Sequence, residues 1–249
     1  MWQRAIEDPA MTRLYLPQAL ATDATINLPD EAFRHLVQVL RMEAGESLTV
    51  FNGEGGEYAA TLATASRKGA TLRIGAYDPV DREAPLHITI AQCVSKGDRM
   101  DYALQKSTEL GAAHFATVLS GHGVVKMDGE RWEKKVEHWR GVVVGAAEQS
   151  GRNRVPRVDA PVSFDKFIVA AHEGLKLILA PGGQQGLAQL ATNTHITALI
   201  GPEGGFSAVE LDTAERHGWH RLGLGPRILR TETAPVALLA ALLAQRGDW

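Results

Sequence analysis

One cysteine, Cys93, stands in a chain of 249 residues. No disulfide can therefore form within it, which suits a reducing cytosol. Cys93 falls in a strand expected over residues 86 to 94, with no histidine close to it in sequence, so a small buried apolar role is expected rather than a nucleophile. No apolar run reaches the roughly 18–20 residues that cross a bilayer. Residues 1 to 10 lack the apolar stretch of a secretory signal, so neither membrane nor export is expected. The nine histidines show no metal-ligand spacing, and no metal is expected. There is no G-x-G-x-x-G and no G-x-x-x-x-G-K-[ST], which removes the usual dinucleotide and phosphate cradles. Positive charge is not in excess either. Twenty-six Lys and Arg face 29 Asp and Glu, net -3, which argues against a strongly basic nucleic-acid binder. Internal repeats and low-complexity segments are absent.

What remains is an ordinary globular composition, 45% apolar and 22% charged, long enough for one large or two modest domains. Residues 11 to 78 read as mostly β. Ser47 to Phe51 alternates, Asn52-Gly53 marks a hairpin turn, and strands follow over 58 to 63 and 71 to 76. One helix is expected over 30 to 40, with Phe33, Leu36, Val37 and Leu40 on one face. This describes a small barrel-like module. The proline-bracketed, charged stretch 78 to 85 is the best domain boundary. From Leu86 onward strands and helices alternate, an α/β pattern that fills 79 to 249. Helices are expected over 99 to 110, ending at Gly111, and over 131 to 148. Trp132, Val136, Trp139 and Val143 lie at helical spacing in the second, as a core stripe would.

The end of the chain carries most of the chemistry. His195-Ile196-Thr197-Ala198-Leu199-Ile200 runs into Gly201-Pro202-Glu203-Gly204-Gly205-Phe206, and Leu222-Gly223-Leu224 runs into Gly225-Pro226-Arg227-Ile228-Leu229-Arg230-Thr231-Glu232. Two apolar strands thus end in glycine-proline loops with charged residues. In an open α/β sheet ligands sit at the carboxyl ends of strands. Ser207 and Glu210 have capping-box spacing for a helix that stops near Gly218. A last helix starts near 231 to 235, and its apolar stretch Val236 to Leu243 suits a subunit interface or an internal core. Arg227 and Arg230 offer fork geometry for a planar acceptor or a phosphate. Glu203 and Glu232 are candidate proton acceptors if desolvated, or merely partners of the arginines. Cations also concentrate mid-chain. Lys126 and Arg131 to Arg140 include a helix face. Arg152, Arg154 and Arg157 fall in a segment poor in apolar residues, expected as a loop presenting cations.

The two terminal loops, Ile200 to Ser207 and Leu224 to Ala234, resemble the signature of the ribosomal RNA small subunit methyltransferase E family. The resemblance extends upstream through Lys96-Gly97-Asp98-Arg99-Met100 with Gln105 to Gly111, through Glu148-Gln149-Ser150-Gly151-Arg152-Asn153-Arg154-Val155-Pro156, and through His35 with Val39-Leu40-Arg41 and Gly45. Nearly the whole chain is covered, in four ordered blocks. The resemblance implies a SPOUT-type α/β domain with a C-terminal trefoil knot, preceded by a small PUA-like RNA-binding β-barrel. It implies transfer of a methyl group from S-adenosylmethionine to N3 of one uridine in 16S rRNA, by a cytoplasmic homodimer. The family-like start at Met11 makes residues 1 to 10 an expected extension.

By the same resemblance, Leu199, Ile200, Gly201, Gly204, Gly205, Leu222, Leu224, Gly225, Ile228 and Leu229 would hold the cofactor, largely through backbone groups. N3 of uracil carries a proton, and alkylation leaves charge to be met at O2 and O4. Arg230 is the candidate for that charge, Glu232 for orienting it, and Glu203 for accepting the proton. Candidate RNA contacts are Arg13, Arg41, Glu148, Gln149, Arg152, Arg154 and Arg227. Two rivals stand beside this reading: a SPOUT methyltransferase for another RNA, and a non-catalytic ribosome-assembly factor. An oxidoreductase reading lacks its fingerprint.

Overall fold

A computed structural model describes residues 12–121, 129–183 and 194–246. The expectations placed on residues 1 to 11 and on Lys126 lie outside them. The chain divides into two units, Met1–Glu83 with Ala147–Arg154, and Ala84–Ala146 with Val155–Trp249.

The first unit is built on one five-stranded sheet. Its strands are β1 (Arg13–Tyr15), β2 (Thr25–Asn27), β3 (Ser47–Phe51), β4 (Glu57–Ser66) and β5 (Gly69–Asp78), in the order β1-β3-β4-β5-β2. All pairs are antiparallel except β1 with β3. Alternation puts Leu14, Leu48, Val50, Leu62, Leu72 and Ile74 in one core. The β3–β4 connection is longer than the two-residue hairpin that Asn52-Gly53 suggests. It runs over 52 to 56, and the Asn52 side chain accepts from the Glu54 amide at 3.1 Å, a local turn bond that competes with the tight hairpin.

The expected helix over 30 to 40 is also modified. A short α1 (Asp30–Phe33) passes into a π-helical turn over Arg34–Val39. The extra residue per turn rotates the face, so Ala32 and Leu36 are buried whereas Val39 and Leu40 point to solvent. Leu40 therefore leaves the apolar face assigned to it. Arg41 closes the turn in a left-handed conformation, φ 58°.

The second unit holds a parallel seven-stranded sheet. Its strands are β6 (His87–Cys93), β7 (His114–Leu119), β8 (Arg157–Val158), β9 (Val162–Ser163), β10 (Leu175–Leu179), β11 (His195–Ile200) and β12 (His220–Leu222). Their order is β12-β10-β11-β6-β7-β8, with β9 also on β7. Its helices are α2 (Arg99–Glu109), α3 (Gly129–Ser150, whose last residues fall in the first unit), α4 (Phe164–Val169), α5 (Ala208–Arg216) and α6 (Thr233–Arg246).

Parallel strands covered on both faces need apolar residues at nearly every position, and period two divides them cleanly. Ile88, Ile90, Ile196, Ala198 and Ile200 pack on one face with Met100, Leu104, Trp139, Val143, Leu238 and Leu242 from α2, α3 and α6. Ala91, Cys93, Val118 and Leu199 face the other way, against Phe164, Phe167, Ala214 and Trp219. The stripe Val136, Trp139 and Val143 is core, as its spacing predicts, with Trp132 packed against it. Leu238, Leu239, Leu242 and Leu243 of α6 are internal core, which takes most of the apolar face that a subunit interface would have used. Cys93 is fully buried, and desolvation drives its thiol far above the ordinary range, so it is not a nucleophile at neutral pH.

Candidate active site

Three strand ends meet at the carboxyl edge of the parallel sheet. β11 is central, flanked by β10 and β6. It delivers its glycine loop between their ends. Within that loop Gly205 (φ 68°) closes a turn on the Pro202 carbonyl at 2.9 Å. A methyl group on Gly201 would press on Phe206 at 3.1 Å. Ser207 then caps α5. Its Oγ accepts the Glu210 amide at 3.2 Å while Oε2 of Glu210 accepts the Ser207 amide at 2.8 Å. The other oxygen of Glu210 accepts from the Gly121 amide at 2.9 Å, tying the loop after β7 to this helix start.

The second loop leaves β12 beside the loop that follows β10. A Cβ on Gly183 would lie 2.4 Å from the Gly223 nitrogen, so two glycine backbones touch there. The chain then continues through exposed Gly225, Arg227 and Ile228, the last 84% exposed. It returns to β11 at Thr231. The Thr231 hydroxyl donates to the Gly201 carbonyl at 2.6 Å and accepts from Nε2 of Gln92 at 2.8 Å. Both Thr231 and Gln92 are buried. A three-residue polar clasp thus joins the ends of β6 and β11 to the start of α6. Sequence reasoning passed over it. The signal was there as one amide, Gln92, in the otherwise apolar end of β6.

The candidate cofactor residues fall into two groups. Leu199, Ile200 and Leu222 are buried, with their side chains in the cores and their backbones in ladder pairs. The residues past the strand ends, Gly201, Gly204, Gly205, Leu224, Gly225, Ile228 and Leu229, are partly or fully exposed. A ligand at this edge would be met by the second group. One further observation points to a missing partner here. Oε2 of Glu232 is buried and, among the described residues, bonded to nothing.

Arg230 is exposed, and its carbonyl accepts from the amides of Thr233 and Ala234 at 2.9 and 3.0 Å, which fixes its backbone at the start of α6. No hydrogen bond joins Glu232 to Arg230 among the described residues. Glu203 has a different neighbour. Its Oε1 takes Nη1 of Arg99 at 2.6 Å and the Lys96 amide at 3.2 Å. Desolvation pushes this carboxyl up, but its own backbone amide, Arg99 and the Lys96 amide outweigh that and hold it below the ordinary range. A carboxylate held ionised is a weak base, and the geometry makes Glu203 an anchor for the start of α2.

The expected RNA residues of the first unit separate in the same way. Arg13 is turned inward. It meets Glu57 at 2.5 Å, the Asn153 side chain at 2.8 Å and the Arg152 carbonyl at 3.1 Å, with Phe51 beneath its guanidinium. Arg152 is 4% exposed and forked onto Glu83, its Nε 3.1 Å from Oε1. It therefore does not present a cation in a loop. Low apolar content signalled an exposed loop, and the buried Glu83 pair overrode it. Glu148 accepts the Tyr15 amide at 2.8 Å, and burial raises its pKa against that bond and the nearby His35 and Arg13. Arg41, Gln149 and Arg154 are exposed, and in the second unit so are Arg227 and Arg157, the latter paired with Asp159 at 2.9 Å.

Comparison with known proteins places this geometry. An RNA methyltransferase domain family matches residues 82–243, and an RNA methyltransferase PUA domain family matches 28–75. The chain is similar to a ribosomal RNA small subunit methyltransferase E of Bacillus subtilis, 33% identical over 93% of this chain and 96% of that one. Among solved structures it is similar to one from Neisseria gonorrhoeae, a ribosomal RNA small subunit methyltransferase E bound to S-adenosyl methionine. That match is 38% identical with TM-score 0.88, over 94% of this chain and 97% of that one. A methyltransferase from Legionella pneumophila in complex with bound SAM matches at 41% identity and TM-score 0.91, again over 94% and 97%.

Proposed function

Since the chain belongs to the ribosomal RNA small subunit methyltransferase E family, we propose that it methylates N3 of a specific uridine in 16S rRNA, with S-adenosylmethionine as methyl donor. The observation that carries the reading is the intact pair of glycine loops clasped by Thr231 at the sheet edge, with a buried unpartnered carboxylate oxygen of Glu232 beside them.

The residues at this edge fit the cofactor. Gly201, Gly204, Gly205 and Gly225 allow close backbone approach, and Leu224, Ile228 and Leu229 supply apolar contact to an adenine ring. Glu232 offers its unpaired oxygen to a ribose hydroxyl or to the amino group of the methionine part. When bound, the sulfonium supplies an electrophilic methyl group that the protein need only hold in line.

The chain's own residues do the rest. Arg230, exposed on a backbone fixed at the start of α6, meets the negative charge that spreads over O2 and O4 as N3 loses its proton to water. Arg227 holds a neighbouring phosphate. Arg41, Gln149 and Arg154 contact RNA from the first unit. Glu203 holds Arg99 and the Lys96 amide, and so the start of α2, in place and takes no proton. N3 lies on the pairing edge, so the target base is unstacked or already splayed before reaction.

Four further properties come with this reading. The C-terminal segment is knotted, the enzyme is a homodimer, it works in the cytoplasm, and it needs no metal. Among the described residues no helix is long and apolar enough to cross a membrane, and no cluster of three or more metal-competent side chains occurs.

The test uses small ribosomal subunits that lack the modification, labelled S-adenosylmethionine and the purified protein, followed by nucleoside analysis of the rRNA. Label in N3-methyluridine is the expected result. Label in another nucleoside would redirect the substrate, and cofactor binding without any transfer would favour an assembly factor.

A further inference from the structure

At the amino end of the parallel sheet, opposite the glycine loops, lies a cavity of about 410 Å³. Strands of six residues at a rise of ~3.3 Å put it roughly 20 Å from the carboxyl edge, so nothing at the candidate active site accounts for it. Its floor is unusual for a sheet of this kind. Parallel strands bury apolar residues on both faces, and farther along this face they do, as Ala91, Val118 and Leu199. In the first rows of the same face stand His195 beside His87, then Thr197, Thr89 and His114 side by side. Three adjacent strands thus present imidazoles and hydroxyls where the fold alone calls for valine or isoleucine. α4, six residues long, walls the cavity with Phe167 instead of covering these rows.

The walls are organised. His87 and His195 lie ring against ring, 5.1 Å apart at 33°. Phe167, His172 and Trp219 form a packed aromatic group, with His172 Nε2 held by the Phe167 carbonyl at 2.7 Å. His114 Nε2 lies 2.8 Å from Oδ2 of Asp159. Desolvation lowers the His114 pKa, outweighing the nearby Asp159, so the ring is neutral at pH 7. It donates to Asp159 and keeps Nδ1 as an acceptor. Among the described residues, the hydroxyls of Thr89 and Thr197 have no hydrogen-bond partner.

The lining narrows the ligand. Lys166 is offset by Asp159 and Glu173, so there is no net positive charge for a phosphate. No set of three metal-competent side chains occurs among the described residues. What converges is a donor–acceptor pair of threonines, a fixed imidazole acceptor, flat aromatic walls and small residues such as Ala116 and Ala171. We propose that this cavity binds one neutral planar nitrogen heterocycle of nucleobase size, edge-on to Thr89, Thr197 and His114 and flanked by the ring of Phe167. The heterocycle belongs either to a free nucleoside or to an unpaired base of RNA.

The experiment is calorimetric titration of the full-length protein, saturated with S-adenosylmethionine so that its own site is closed, with uridine and with adenosine. A nucleoside-sized ligand at ordinary efficiency binds with a Kd on the order of 0.1 mM. Thr197→Val, nearly isosteric, should weaken that binding at least tenfold, and Ala171→Trp, at an exposed lining position, should abolish it. Both should leave cofactor affinity and the unfolding midpoint in place. Competition by a short single-stranded oligouridylate that binds more tightly than the nucleoside assigns the site to an RNA base. Failure of the oligonucleotide to compete assigns it to a free nucleoside. No saturable binding of either nucleoside overturns the proposal, as does binding that both variants leave unchanged.

Discussion

The hydroxyl of Thr231 donates to the carbonyl of Gly201 at 2.6 Å, across thirty residues of chain, and so fixes the start of α6 to the end of the central strand. The same oxygen accepts from Gln92. One buried hydroxyl therefore ties the second loop of the candidate active site to the end of the strand that carries the first.

Thr231→Val keeps the shape and removes that oxygen. It leaves the Gly201 carbonyl and one amide hydrogen of Gln92 unpaired, which costs about 2 kcal/mol of stability. Cofactor affinity should fall several-fold as the loops loosen, whereas Thr231→Ser should retain most of both. Denaturant unfolding with calorimetry of S-adenosylmethionine binding reads the two effects separately.

Arg230→Ala should lower turnover at least tenfold, about 1.4 kcal/mol of transition-state stabilisation, while the cofactor Kd stays within a factor of two to three. A variant with full activity would remove Arg230 from the chemistry.

Glu203→Gln tests the proton acceptor by pH. The wild-type carboxyl is already held below the ordinary range by its backbone amide, Arg99 and the Lys96 amide, against desolvation. It stays ionised throughout the neutral range, so wild type and variant should give rate profiles of the same shape between about pH 6 and 9. A wild-type inflection that vanishes in the variant would make Glu203 the base after all.

Glu148→Gln separates structure from recognition. Burial raises the folded pKa of Glu148 above its unfolded value. The protonated form is thus favoured by folding, and that contribution, complete below the unfolded pKa near 4.5, is lost as pH rises through the folded value. Glutamine keeps an acceptor for the Tyr15 amide without the buried charge. The variant should match wild type at acid pH and equal or exceed it in stability at pH 7. An activity loss there would then report contact with RNA, not misfolding.

Arg152→Ala should fail by another route. Removing it strands Glu83, an almost buried partner (17% exposed side chain), at a cost of about 3 kcal/mol. The unfolding midpoint should drop sharply. Loss of RNA affinity at unchanged stability would instead restore the exposed-cation reading.

Much of this protein is determined locally and is legible in its residues. Ser207 with Glu210 sets the start of α5, Gly111 the end of α2, and the β-branched run into Gly201 the strand and loop of the candidate site, because caps, turns and periodicity act over four or five residues. The core stripe of α3 follows from spacing alone. The tertiary structure decided whatever depends on a partner far along the chain. It turned Arg13 and Arg152 inward onto Glu57 and Glu83, gave Glu203 to Arg99, left Glu232 without Arg230, and made a clasp of Gln92 and Thr231. It also gathered histidines 87, 114, 172 and 195, whose spacing in sequence carries no signal, around one cavity. A charged or polar side chain reads the same in sequence whether it meets water, a ligand or an opposite charge. Only the folding of distant strands side by side chooses among them.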